Sequence, residues 1–207
     1  MAISPDDRWL VTGSKDGTVV RWDLTSADPS AAPKPLSGHP EGTKPLAGDA
    51  EARKITSMAF SADGRWLVTG SNDTSARLWD LGTARLWDAF GIGGEDPRSW
   101  VLKHGEPVSR VAISSGEPRV ITASYDKTVR LWDPAASHPD KSWVVLNHDA
   151  GINAIAVSAN GRYLVTGTSY DYKATLWMVQ TGDLANLARA IAGRELTNDE
   201  LQDAGLK

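Results

Sequence analysis

Short stretches that alternate apolar and polar residues recur along the chain and are separated by turn residues. One such stretch covers Ile55–Phe60, and similar ones cover Val108–Ile113 and Ile152–Val157. Alternation with a period of two is typical of a half-buried β-strand. Asp63-Gly64 and Asn160-Gly161 follow two of these stretches, and such dipeptides favour tight hairpins because both residues tolerate positive φ. The pattern therefore predicts antiparallel strands.

Each stretch opens a set of predicted strands. A second apolar run follows the hairpin at residues 9–11, 66–68, 119–121 and 163–165, and a third run ends at a tryptophan. A fourth run is visible at residues 99–102 and 142–146, each time just before a histidine. Four short strands joined by tight turns predict an antiparallel meander, which cannot bury both of its faces alone. We therefore expect neighbouring units to stack.

A polar motif recurs at a fixed place in each set of strands. It consists of Ser-x-Asp followed six residues later by Trp, and its four copies are Ser14, Asp16 and Trp22; Ser71, Asp73 and Trp79; Ser124, Asp126 and Trp132; and Ser169, Asp171 and Trp177. A catalytic constellation is normally built once in a chain. A motif that recurs at fixed spacing is typical of a structural joint in a repeated unit.

With their Trp-Asp dipeptides at 22–23, 79–80 and 132–133, these units resemble the WD-repeat family, whose blades assemble into a β-propeller. Trp177-Met178 is a degenerate fourth copy. The resemblance implies that a histidine before the first strand joins the Ser, Asp and Trp in a hydrogen-bonded ladder. By position, His104 would serve the third ladder and His148 the fourth. Buried polar groups are tolerable in this arrangement because each finds a partner.

The expected fold is all-β: a partial β-propeller of about four WD-repeat blades at about 1–38, 50–103, 104–147 and 148–178, each a four-stranded antiparallel meander except the last, which lacks its fourth strand. A short α-helical tail is expected at 179–207, and it resembles the ends of bacterial members of the family. The family most often closes its ring with about seven blades, and four is the low end for propellers. We therefore expect a piece of a longer propeller, or self-association that covers the terminal blades.

Two short duplications leave the second unit open to alternatives. Residues 34–39 are nearly repeated as 44–49, so either His39 or Asp49 could occupy the joint of that unit. Residues 76–80 recur as 84–88, and the fixed Asp-to-Trp spacing favours Trp79 in the sheet and Trp87 in an inserted loop. Surface connections tolerate such insertions at small cost.

Composition narrows the classes of function. The 207 residues carry a net charge of −4, so no overall basic field recruits nucleic acid. The absence of Cys removes thiolate catalysis and Cys-ligated zinc. No apolar run approaches the ~20 residues that span a bilayer, and the N-terminus lacks the pattern of a signal peptide. We expect a cytoplasmic protein with no membrane or nucleic-acid partner.

A structural role explains the polar residues better than catalysis, metal binding or phosphate binding does. Ser, His and Asp are the residue types of a hydrolase triad, but their fourfold recurrence with Trp points to structure. The four histidines at 39, 104, 138 and 148 lack metal-ligand spacing. The glycines at 91, 93 and 94 do not form a phosphate-binding motif. We therefore predict no enzyme activity, no metal and no cofactor.

The remaining hypothesis is a surface for recognition. Related propellers contact partners through the residue before the ladder Asp and through two residues early in the first strand. The first class corresponds to Lys15, Asn72, Tyr125 and Tyr170, and the second to Lys54, Thr56, Pro107, Ser109, Gly151 and Asn153. The predicted function is a non-catalytic scaffold that binds a protein or peptide. The alternative is a sensor or docking segment of a larger bacterial signalling protein that carries a kinase or nucleotide switch.

Overall fold

A computed structural model describes residues 1–30, 33–36, 39, 51–82, 97–115, 118–170 and 173–179, and these form four antiparallel sheets in chain order. The strands of the first two sheets are β1 (Ala2–Ile3), β2 (Trp9–Gly13), β3 (Val19–Asp23), β4 (Lys34–Leu36), β5 (Ile55–Phe60), β6 (Trp66–Ser71), β7 (Ser75–Asp80) and β8 (Arg98–Lys103). Those of the third and fourth sheets are β9 (Val108–Ile113), β10 (Val120–Ser124), β11 (Thr128–Trp132), β12 (Trp143–Asn147), β13 (Ile152–Val157), β14 (Tyr163–Thr168) and β15 (Ala174–Met178). A short 3₁₀ turn, Pro139–Lys141, precedes β12.

Each sheet is a meander in which every strand pairs with the next one along the chain. The first three sheets have four strands, and the described part of the fourth has β13, β14 and β15. The all-β class and the four repeated sheets are therefore confirmed. The unit boundaries stay predictions, and the expected helical tail lies outside the described residues except for Val179. No helix in the described ranges is long and apolar enough to cross a membrane.

The hydrophobic core lies between the sheets. Alternate residues of each strand point to opposite faces, so the second and third sheets each contribute one face to the sheet before them and one to the sheet after them. Three buried clusters lie between consecutive sheets. Between the first and second sheets, Val11 and Val19 pack on Leu67 and Trp79. Val68 and Leu78 pack on Val108 and Trp132 between the second and third sheets, and Ile121 and Leu131 pack on Leu164 and Trp177 between the third and fourth. The sheets therefore depend on their neighbours for burial, as the alternating pattern predicts.

Glycine at the end of the second strand lets the next sheet approach closely. A Cβ atom built on Gly70 would lie 2.9 Å from the Cγ1 atoms of Val108 and Val111. One on Gly13 would lie 2.6 Å from the Cγ2 atom of Ile55. Real Cβ atoms do not approach carbon this closely, so a side chain at either position would push two sheets apart.

Candidate functional site

A hydrogen-bonded ladder crosses the second sheet. The Trp79 indole N–H donates to the Thr69 hydroxyl at 3.2 Å, and that oxygen lies 3.0 Å from Nε2 of His39. Nδ1 of His39 lies 2.8 Å from Asp73 Oδ2, and the carboxylate also accepts from the Ser75 hydroxyl. A proton on Nδ1 of His39 satisfies the whole chain of hydrogen bonds, since Thr69 then donates to Nε2 and His39 donates to Asp73.

The third sheet repeats this ladder with nearly the same geometry. The Trp132 indole N–H donates to Thr122 at 2.9 Å, and Nε2 of His104 lies 2.7 Å from the same hydroxyl. Nδ1 of His104 lies 3.0 Å from Asp126 Oδ2, and Thr128 donates to the other carboxylate oxygen. The repetition identifies the ladder as a structural joint.

The electrostatics of the third ladder favour an ionised Asp126 beside a neutral His104. Burial lowers the pKa of His104, and the raising effect of Asp126 does not offset it. Burial would raise the pKa of Asp126, but hydrogen bonds from His104, Thr128 and the backbone N–H of Gly105 together hold that pKa well below its usual range. Desolvation penalises the charged form of each group, so only the carboxylate, with donors from three residues, stays charged.

The terminal ladders are shorter in the described residues. In the fourth sheet Thr166 accepts from the Trp177 indole at 3.0 Å and lies 2.8 Å from Nε2 of His148, while Asp171 lies outside the described residues. In the first sheet Trp22 donates to Thr12 at 2.9 Å, and Asp16 accepts from Thr18.

The ladder hydroxyl is a threonine and not the serine that the sequence analysis assigned, which corrects the roles of Ser14, Ser71, Ser124 and Ser169. Three of these serines donate to backbone carbonyls ahead of the first strand: Ser71 to Arg53 at 3.0 Å, Ser124 to Glu106 at 2.9 Å and Ser169 to Gly151 at 2.9 Å. Ser14 hydrogen-bonds Asp16. These serines close the turn, and the threonines Thr12, Thr69, Thr122 and Thr166 hold the indoles.

The spacing to the tryptophan and the strand alternation would have identified the ladder threonines from the sequence. The first three lie ten residues before the ladder tryptophan, and Thr166 lies eleven before Trp177. The serine two or three residues later has the same chemistry, so residue type alone does not separate them. Strand alternation does, because Thr69 shares its face of β6 with Leu67, which packs beside Trp79.

The structure also places one member of each duplicated pair. His39 occupies the joint of the second sheet through its contacts with Asp73 and Thr69, whereas Asp49 lies outside the described residues. Trp79 lies in β7 and is fully buried. Trp87 lies outside the described residues, so its place in an inserted loop stays a prediction.

The turns that follow the second strands and the segments that lead into the first strands meet along one edge of the stack. Backbone hydrogen bonds join them: Asn72 N–H donates to Lys54 O, Tyr125 N–H to Pro107 O, and Ser169 N–H to Gly151 O. We call this edge the turn edge, defined by Lys15, Glu51, Lys54, Asn72, Pro107, Tyr125, Gly151, Asn153 and Tyr170. Eight of these nine are predicted partner-binding residues, and Glu51 is added by the structure.

Charged residues gather at the first half of the turn edge. Glu51 lies 2.7 Å from the Lys15 Nζ atom and 2.9 Å from the Lys54 Nζ atom, and its backbone oxygen accepts from the Asn72 side chain. The hydrogen bond from Lys15, followed by that from Lys54, lowers the pKa of Glu51 to about 2. Lys15, Lys54 and Asn72 are thus brought together by a residue that the sequence analysis did not single out.

Aromatic residues gather at the other half. Tyr125 is 46% exposed and Tyr170 is 84% exposed. Gly151 is buried beneath Tyr125, since a Cβ atom there would lie 3.0 Å from a ring carbon of Tyr125. The same glycine accepts from Ser169, the residue before Tyr170. The backbone of Gly151 therefore links the two tyrosine turns, and Asn153 lies exposed on the strand that follows.

Two predicted partner-binding residues serve the packing of the sheets, which corrects their assignment. Ser109 is 2% exposed, and its hydroxyl contacts Ile152 O at 2.5 Å and Ala123 O at 3.1 Å. Thr56 donates to Val108 O at 2.6 Å. Both hydroxyls join the first strand of one sheet to that of the next, and the burial of Ser109 keeps it from a partner. Gly151 is also buried and has no side chain to offer.

The ladders are poorly suited to catalysis. Thr69 and Thr122 are fully buried, and each hydroxyl is engaged by an indole and an imidazole. A nucleophile must reach its substrate, and these oxygens cannot. Within the described ranges no group of three or more His, Cys, Asp and Glu residues is arranged to hold a metal ion.

Comparisons with known proteins agree with the repeated architecture. The family model described as "WD domain, G-beta repeat" matches residues 1–23, 37–80, 98–133 and 140–178. The chain is 31% identical over 149 residues to Protein HIR1 of Yarrowia lipolytica, which covers 64% of this chain and 14% of that protein. It is 27% identical over 183 residues to the U3 snoRNP-associated protein-like EMB2271 of Arabidopsis thaliana, covering 86% of this chain and 35% of that one.

A solved structure supports the fold. The crystal structure of RRP9 WD40 repeats superposes with a TM-score of 0.60 at 19% identity, over 86% of this chain and 47% of that chain. Identity at this level supports the fold alone. The chain spans less than half the length of these relatives, so their activities and partners do not transfer to it as findings.

Proposed function

The chain belongs to the WD40 repeat family, and we propose that it is a non-catalytic scaffold that binds a protein or peptide partner through the turn edge. Members of this family generally mediate protein interactions and are generally not enzymes. The named relatives include an snoRNP-associated protein, whose name places it in an assembly. A recognition surface on repeated sheets is therefore the starting hypothesis.

The observation that carries the proposal is the pair of exposed tyrosines held on well-braced turns. The Tyr125 backbone is fixed by its hydrogen bond to Pro107 O at 3.1 Å, and its ring rests against Gly151. Tyrosine gives a large contact area and a hydroxyl at the cost of two torsions, so a ring already fixed at its base loses little freedom on binding. Aromatic anchors of this kind are typical of interface hot spots.

The charged half of the turn edge supplies the polar part of the proposed interface. Lys15 and Lys54 share Glu51, and neither is deeply buried, so a partner carboxylate could replace Glu51 with small loss. Exposed ion pairs of this kind contribute less than about 1 kcal/mol to stability. We therefore assign affinity mainly to the tyrosines, and orientation and encounter rate to the lysines.

The experiment captures partners from a lysate on the immobilised chain and compares it with the double variant Tyr125→Ala, Tyr170→Ala. We expect the specific partners to be lost while the thermal melt stays close to that of the wild type. The control is Trp143→Ala, because Trp143 is a half-exposed aromatic on β12 outside the turn edge. Its ring packs on Trp132 with the centroids 5.4 Å apart, so the thermal melt of this control is compared with that of the wild type as well. Partners that are retained by the tyrosine variant, or lost equally from the control, would remove the turn edge from consideration.

The alternative of a sensor or docking segment in a larger bacterial signalling protein has less support. The relatives named above are eukaryotic. The bacterial origin and the helical tail of that type stay predictions. Sequencing the genomic DNA around the coding region tests this alternative, since a kinase or nucleotide-binding module in the same frame would favour it.

Two further predictions concern partners and place. The exclusion of nucleic acid rests on the net charge of −4, and fluorescence anisotropy with a labelled single-stranded RNA at low salt tests it.

A cytoplasmic location remains our proposal, and imaging of a tagged chain in its own cell tests it.

A further inference from the structure

The first and fourth sheets each present one apolar face that no described sheet covers. On the first sheet Ile3 lies opposite Leu10, and Leu10 lies opposite Trp22, so these side chains share one face. Leu24 extends that face two residues beyond Trp22. We call Ile3, Leu10, Trp22 and Leu24 the Trp face. Every hydrophobic cluster of the described residues lies between consecutive sheets, and none includes a Trp-face residue.

The equivalent residues of the later sheets are buried. The Leu10 and Trp22 pair corresponds to Leu67 and Trp79 in the second sheet and to Leu164 and Trp177 in the fourth, and both of these later pairs are packed against the preceding sheet. Leu24 and Leu81 donate through their backbone N–H groups to Arg8 O and Arg65 O, which makes them equivalent. Leu24 is 37% exposed, whereas Leu81 is 3% exposed. The first sheet therefore carries the same apolar residues as the sheets that are covered, but no described sheet packs on them.

On the fourth sheet, the apolar face that no described sheet covers is the opposite one. Val165 lies opposite Leu176, as Ile121 lies opposite Leu131 in the third sheet and Val68 opposite Leu78 in the second. The earlier pairs are buried by the sheet that follows, and Ile121 is 1% exposed. Val165 is 39% exposed, and Met178 beside it is also exposed. We call Val165, Leu176 and Met178 the Val face.

These two faces are the two halves of one interface that the chain already makes three times. At each internal junction the Val-face residues of one sheet pack on the Trp-face residues of the next. We propose that a second copy of this chain covers both faces, with the Val face of each copy packed on the Trp face of the other. The inference does not rest on the proposed function, because neither face includes a turn-edge residue.

The geometry favours closure as a pair. The contact joins two different surfaces, so it is heterologous and generates either a ring or an open filament. Two copies contribute eight sheets, four from each. Propeller rings close with roughly four to eight sheets. The four sheets of one copy leave Leu24 and Val165 exposed, so one copy does not cover its own faces, whereas a pair reaches a size that closes and three copies would exceed it. Closure removes both exposed faces at once, which an open filament does not.

The test is sedimentation equilibrium of the 207-residue chain and of two face variants. Leu24→Arg places a charge on the Trp face and Val165→Arg places one on the Val face, and both positions are exposed enough for the copies to fold. We expect a mass of about twice 22.2 kDa for the wild type and 22.2 kDa for each variant alone, with thermal melts showing that the variants are folded. Tyr170→Arg, on the turn edge, is the control and should pair as the wild type does.

Mixing the two variants in equal amounts distinguishes this arrangement from others. The Leu24→Arg copy keeps its Val face and the Val165→Arg copy keeps its Trp face, so one junction of the mixed pair is intact. We expect the mixture to regain the doubled mass with affinity at least tenfold weaker than that of the wild type. A wild-type monomer would overturn the proposal and point to sheets of another protein as the cover. A mixture that stays monomeric, or larger open species, would overturn the closed head-to-tail pair.

Discussion

The threonine hydroxyl is the residue that joins each ladder to the core. Thr122 accepts from Trp132 and lies beside Nε2 of His104, so its single oxygen satisfies two buried polar groups. An unsatisfied buried group costs more than a typical hydrogen bond contributes. The serine that closes the neighbouring turn contacts only carbonyls and turn amides, so its loss should matter less.

This difference gives a test within the third sheet. Thr122→Val keeps the shape of the side chain but leaves the indole N–H and the imidazole without their partner, and should lower the free energy of unfolding by about 1–3 kcal/mol. Thr122→Ser keeps the hydroxyl and should cost less. Urea denaturation of both variants provides the measurement. A loss from Thr122→Ser as large as that from Thr122→Val would contradict this, because it would show that the methyl group contributes as much as the hydroxyl.

The ladder also predicts how stability depends on pH. The pKa values of His104 and Asp126 are both lowered on folding from ordinary values of 6.5 and 3.8, so the unfolded chain binds more protons as the pH falls through each window. Stability should therefore be complete above about pH 7, decline below 6.5, and decline again below about 4. Asp126→Asn removes that residue's part of the second decline, whereas other carboxyls with lowered pKa values, such as Asp73, keep theirs, so its stability should fall less steeply below pH 4. Urea melts from pH 3 to 8 check this, and parallel curves would contradict it.

Residue types alone did not determine the roles of the polar side chains. The sequence contains serine and threonine close together before each Asp, and only the strand face separates the hydroxyl that meets the indole from the one that closes the turn. Ser109 was expected to meet a partner, yet its hydroxyl joins β9 to the next sheet. Its burial depends on how closely two sheets approach, which strand periodicity does not encode.

At the scale of the element, the strands and their order in an antiparallel meander were predictable, because alternation and turn residues act within one sheet. The distance between sheets is set instead by small residues at the strand ends. Gly70 faces Val108 and Val111 of the next sheet, and Gly13 faces Ile55 in the same way. The spacing of these glycines repeats with the motif, but their function becomes visible only when the sheets are stacked.

Gly70→Ala tests this close approach. The added Cβ would lie 2.9 Å from two valine methyl groups of the next sheet, so we expect a loss of about 1–3 kcal/mol from overpacking. Gly105→Ala is the matched control, because its Cβ would lie 3.5 Å from the nearest atom, an ordinary contact. Thermal melts of the two variants should separate clearly. A control as unstable as Gly70→Ala would show that backbone freedom, and not sheet spacing, explains the glycine.

For the whole molecule, the shared clusters make the sheets mutually dependent. Each interior sheet contributes both faces to burial, so a defect at one interface weakens two sheets, as in other repeat proteins. The sequence predicted four units and an uncovered sheet at each end. It could not indicate what covers them, because the complementarity of the Trp face and the Val face depends on side chains that meet only in three dimensions.

The turn edge is likewise a property of the assembled stack. Its charged half combines residues from the first and second sheets through Glu51, and its aromatic half combines the third and fourth through Gly151. A single unit would present neither half. Binding at the edge and burial of the ladders should therefore be lost together when the stack is disrupted.

The most direct measurement of the account is the exchange of the tryptophan indole protons in D₂O, followed by NMR. The central claim is that the ladder tryptophans are buried joints between stacked sheets and that function is left to the surface. We predict that the indole signals of Trp79 and Trp132 persist far longer than that of Trp143, whose side chain is exposed. Ladder indoles that exchange as fast as Trp143 would contradict the claim.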